Sequence, residues 1–152
     1  MRRWERWTIN LLSLLVAVTG FMYFWMKYMV QTDDPFAVVN HPWQAATLMV
    51  HVLASPPFIL IFGIVLNSHI MKKLRAPRMP NRSSGLLSLG TFAAMTCSGY
   101  LLQVVTNEQV LQALVALHVT SGALFTGSYG VHLLVSRRIA RRASVETVRE
   151  VA

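Results

Sequence analysis

The 152-residue sequence is short of acid, of cysteine and of charge in general. Six acidic residues stand against fourteen Lys and Arg, and charged residues make up only 13% of the chain. Soluble domains carry about twice that share, and here 54% of residues are hydrophobic, which excludes an ordinary water-soluble domain. The lone cysteine, Cys97, excludes an internal disulfide framework and a thiolate metal cage. The excess of basic residues comes without the aromatic interleaving of a nucleic-acid surface, so no nucleic-acid partner is expected. Most telling is where charge is missing. No Lys, Arg, Asp or Glu occurs in 7–26, 35–71, 83–107 or 109–136.

Each of these stretches is long enough to cross a membrane, which takes about 20 apolar residues at about 1.5 Å rise per residue. Helices in water would need charge on their outer faces. The first run has no small-residue cleavage site and continues through "GFMYFWMKYMV", so it reads as a first transmembrane helix rather than a signal peptide. The spans are placed at about 8–30, 44–71, 84–106 and 109–136. Short connections favour an all-α, up-down-up-down four-helix bundle. This gives a transmembrane domain over 1–136 and a basic tail over 137–152, either a short surface helix or disordered. "MRRWER", "MKKLRAPRMPNR" and "SRRIARR" fall on one side of such a bundle, whereas Asp33, Asp34 and Glu108 fall on the other. The positive-inside rule then puts both termini in the cytoplasm, and the expected location is a bacterial inner membrane, as a multi-pass protein.

The chain also reads as an internal duplication. "VTGFMYF" in helix 1 resembles "CSGYLLQ" in helix 3. Helix 2 carries His51-Val52 and later His69 before Lys72-Lys73; helix 4 carries His118-Val119 and later His132 before Arg137-Arg138. At about 100° per residue, the 18-residue step from His51 to His69 returns to the same helix face, and the 14-residue step from His118 to His132 returns to within about 40° of it. His51 and His118 fall at similar depths, roughly 10–14 Å from the outer end of their helices. Helices 2 and 4 lie diagonally across the expected bundle, so the four histidines form two facing pairs, one per leaflet.

Two neutral imidazoles facing one another suit a metal already held in a plane by a macrocycle, as haem iron is. Gly20 and Gly99 could clear space for a porphyrin, or could simply let helices pack closely. Lys27 at the outer end of helix 1, and Lys72, Lys73 and Arg75 at the inner side, are candidate partners for propionates, with Trp43 and Tyr28 nearby. The pattern resembles the four-helix core of di-haem b-type cytochromes, which include the quinol-oxidising cytochrome b and the small cytochrome b subunits of respiratory formate dehydrogenases and hydrogenases. The resemblance covers about residues 8–136 and is strongest over "LHVTSGALFTGSYGVHLLV". It implies two haem b groups, His51 with His118 on the outer and His69 with His132 on the inner. Two features depart from the family. The step on helix 2 is one turn longer than on helix 4, which tilt or a kink at Pro56-Pro57 would have to absorb. Helices 1 and 3 read as lacking the doubled, evenly spaced glycines of the larger cytochrome b.

The function implied is electron relay across the bilayer between quinone or quinol and a periplasmic cytochrome c or redox subunit. The small outer loops suit a subunit of a larger complex rather than a stand-alone enzyme. Asp33 and Asp34 read as a solvated loop, or else as a docking patch for a basic partner, and His41 as a loop residue. A single membrane histidine is more often a packed, hydrogen-bonded polar residue than a ligand. The alternative is therefore a haem-free transporter or assembly scaffold whose histidines handle protons or metal ions. It predicts polar or carboxylate companions within the spans, and the four stretches contain no Asp or Glu. A second alternative is a protein that binds haem only transiently.

Overall fold

The structure, a computed structural model, describes residues 2–32, 37, 39–67, 71 and 82–151; at 82, 84, 140 and 143–151 only the backbone is described. His69, Lys72, Lys73, Arg75, Asp33 and Asp34 lie outside the described residues. The chain is all α among those residues, with four helices: α1 (Arg3–Tyr28), α2 (Gln44–Val65), α3 (Arg82–Leu101) and α4 (Glu108–Val151). It divides into two compact units, Met1–Lys72 and Lys73–Ala152, each a helical hairpin.

In the first hairpin, α1 begins where the Glu5 carboxylate accepts the backbone N–H of Arg2 at 2.9 Å. Glu5 in its first turn and Lys27 in its last both oppose the helix dipole. α2 begins after His41-Pro42-Trp43, with the Asn40 N–H donating to Gln44 Oε1 at 3.2 Å. α2 runs unbroken through Pro56 and Pro57. Prolines there deprive the Val52 and Leu53 carbonyls of their usual donors. Thr47 lies beside Met26 and His51 beside Val16, so α1 and α2 run antiparallel. Ile9, Val16 and Met26 are buried on α1, and Phe58, Ile61, Phe62 and Val65 on α2.

The second hairpin repeats the plan. Ser88 Oγ lies 3.0 Å from Ser128 Oγ, and the Phe92 and Phe125 rings are 5.8 Å apart. Phe125 in turn stacks on Tyr129 at 5.6 Å. The buried positions of the two hairpins correspond. Phe58 follows His51 by seven residues and Phe125 follows His118 by seven, and both are buried.

α1, α2 and the Glu108–Ile139 part of α4 are long and apolar enough to cross a membrane. The apolar part of α3, Gly85–Leu101, is shorter. Leu11, Leu14, Leu53 and Leu60 are between 62% and 68% exposed on the chain's outside, a costly arrangement in water and a suitable one in lipid. α4 differs from expectation at its far end. It does not stop near residue 136 but continues as one helix of 44 residues. Beyond Gly130 the sequence offers no Gly or Pro, and "RRIARRA" is built of strong helix formers.

Candidate functional site

His51 is half-buried on α2, with its ring turned toward α1. Nδ1 lies 3.0 Å from the carbonyl oxygen of Val16 and 3.2 Å from Thr19 Oγ1. The Thr19 hydroxyl donates to the Leu15 carbonyl at 2.8 Å, which leaves its lone pairs for the ring. A carbonyl can only accept, so Nδ1 carries the hydrogen and Nε2 bears the lone pair. The ring rests on Gly20: a Cβ at that position would stand 2.9 Å from Cε1 and 3.3 Å from Nδ1 of His51. Three α1 groups therefore hold one imidazole: a carbonyl, a hydroxyl three residues on, and the glycine after it.

The second hairpin builds the same arrangement. His118 Nδ1 lies 3.0 Å from the Met95 carbonyl oxygen and 3.3 Å from Ser98 Oγ. Ser98, only 1% exposed, donates its hydroxyl to the Ala94 carbonyl at 2.7 Å. A Cβ on Gly99 would stand 2.8 Å from Cε1 of His118. Carbonyl, hydroxyl and glycine occupy the same relative positions as in the first hairpin. The two rings are thus presented in the same tautomer by the same device.

These contacts give Gly20 and Gly99 a nearer duty than clearing space for a porphyrin, because the histidine ring of their own hairpin fills the space beside each. They also identify residues that a sequence reading passes over. Thr19 and Ser98 are recognisable only as part of a hydroxyl-glycine pair, and the Val16 and Met95 carbonyls carry no side-chain signature at all. Gly85 is another. It lies beside His132, where a Cβ would stand 3.8 Å from Cε1. Gly85 precedes Gly99 by fourteen residues, as His118 precedes His132. α3 therefore does carry a doubled, evenly spaced glycine pair, one glycine against each histidine of α4, contrary to the expectation for that helix. α1 and α2 carry no such second pair at that interval. Arg6 stands fourteen residues before Gly20 and Val65 fourteen after His51.

The remaining candidates take simpler positions. Lys27 is exposed, its ammonium 5.8 Å from the centre of the Tyr23 ring and 5.6 Å from that of Tyr28. Its carbonyl accepts from the Asn40 side chain at 2.8 Å, tying the end of α1 to the approach to α2. His41 stays in that connection, with its Nδ1 accepting the Trp43 backbone N–H at 3.1 Å. Trp43 is 67% exposed. Among the described residues, no group of three or more His, Cys, Asp or Glu gathers into a metal cage. No family model matches the sequence, and no curated protein and no solved structure matches it.

Proposed function

We propose that the chain is a di-haem b-type membrane cytochrome, with His51 and His118 as the axial ligands of one haem and His69 and His132 as those of a second. The observation that carries this reading is the pair of identical histidine cradles. A ligating histidine characteristically donates its other ring N–H to a carbonyl or carboxylate, which fixes its tautomer and orientation and raises its basicity. His51 and His118 both do so through Nδ1. That leaves the Nε2 lone pair as the donor, and two imidazole nitrogens are the donor set of a low-spin haem. The donor chemistry therefore fits the group. A haem so held supplies reversible one-electron transfer.

In this reading the four helices form an up-down-up-down bundle in a bacterial inner membrane with both termini cytoplasmic, as the basic segments favour. The Val16 and Met95 carbonyls orient the ligands, Gly20 and Gly99 admit the rings, and Lys27 and Lys72 are the cations for propionates at opposite faces. Electrons pass between quinone or quinol and a periplasmic redox subunit or cytochrome c, and the chain acts as a subunit of a larger complex. The absence of Asp and Glu from the stretches that hold all four histidines, 35–71 and 109–136, supports this over a proton or metal-ion transporter. The test is a reduced-minus-oxidised visible spectrum with pyridine-haemochrome quantification on protein purified from haem-supplied cells. A b-type spectrum with about two haems per chain is the expected result. Haem-free protein would refute the proposal.

A further inference from the structure

The continuation of α4 past its apolar part is strongly basic. Arg137, Arg138, Arg141 and Arg142 are all exposed on this helix. At about 100° per residue the four fall within a sector of about 140°, in two adjacent rows. This end of the helix therefore bears four exposed arginines in one stripe along one side.

Axial position says what the stripe meets. At about 1.5 Å per residue, Arg137 stands about 44 Å along the helix from Glu108, and Arg142 about 51 Å. A bilayer with its headgroups is about 40–45 Å thick. With Glu108 at one interface, Arg137 and Arg138 reach the opposite headgroup layer. Arg141 and Arg142 stand one turn beyond, within the roughly 8 Å screening length of physiological salt. The apolar part of the helix ends at Ile139, inside the same stripe. Guanidinium groups pair with phosphate through two parallel hydrogen bonds. We propose that this stripe is a binding surface for anionic phospholipid headgroups, which it holds against the end of α4. The inference needs α4 to cross the membrane and is independent of haem binding.

The full-length protein in mild detergent is titrated with phosphatidylglycerol and with phosphatidylcholine, and bound lipid is counted by native mass spectrometry. The expected result is a preference of about tenfold or more for phosphatidylglycerol, since each basic group near such a surface strengthens binding severalfold. The preference should weaken sharply in high salt. It should largely vanish in the Arg137→Gln, Arg138→Gln, Arg141→Gln, Arg142→Gln variant and return when the same four positions are Lys. No preference in the wild type, a preference insensitive to salt, or a glutamine variant that keeps it would each overturn the proposal.

Discussion

The imidazole of His51 fills the space that a side chain at position 20 would need: a methyl group on Gly20 would stand 2.9 Å from its Cε1. His118 and Gly99 repeat the relation at 2.8 Å. Gly20→Ala and Gly99→Ala should therefore push the rings off their carbonyl partners and lower stability by roughly 1–3 kcal/mol, the usual cost of overpacking. A methyl group on Gly127 would meet nothing within 4 Å, so Gly127→Ala should be neutral or mildly stabilising through helix propensity. Thermal unfolding of the three variants in one detergent checks the contrast. Equal behaviour of all three would show that the histidine contact does not set the requirement for glycine.

Removing the hydroxyls should act more gently. Thr19→Val and Ser98→Ala leave the Val16 and Met95 carbonyls in place to hold Nδ1, so both rings keep their orientation. Interhelical hydrogen bonds in membranes average about 0.6 kcal/mol, and a loss of that order is expected. The ligand readout should be a small shift in haem midpoint potential without loss of haem. Complete haem loss in either variant would mean that the hydroxyl, and not the carbonyl, fixes the ring.

Ser13 makes the opposite prediction. Its hydroxyl is buried on α1 and has no hydrogen-bond partner among the described residues. Leaving such a group unsatisfied costs about 1–3 kcal/mol, so Ser13→Ala should leave stability unchanged or raise it. A clear drop in the thermal midpoint would reveal an interaction at that hydroxyl.

His132 should govern a different haem from His118. His132→Ala should lower the haem content from about two per chain to about one while preserving the spectrum of the other. Haem content that stays at two, or falls to zero, would contradict separate sites.

Much of this architecture is legible in the sequence because lipid and water select different residues. Charge-free runs locate all four helices. The length of α4 is harder to read, since hydropathy reports where the helix leaves lipid and not where it stops being a helix. The histidines announce themselves as polar groups in apolar runs, but their holders do not. Val16 and Met95 act through the backbone, which any residue would supply, so only the packing of α1 on α2 and of α3 on α4 reveals them. Gly85 is visible in letters, yet its meaning depends on matching the Gly85–Gly99 interval on one helix to the His118–His132 interval on another. Val65 and Arg6 show where the repeat lapses: the first half has neither a histidine nor a glycine at the corresponding interval, and its second histidine comes four residues later in the sequence.

In the proposed cytochrome, His51 and His118 serve the same iron. Low-temperature electron paramagnetic resonance of the oxidised protein, compared among wild type, His51→Ala, His118→Ala and His132→Ala, tests it most directly. Two low-spin bis-imidazole signals are expected in the wild type, with the same one missing from His51→Ala and His118→Ala and the other missing from His132→Ala. If His51→Ala and His118→Ala abolished different signals, or left both intact, the pairing would be contradicted.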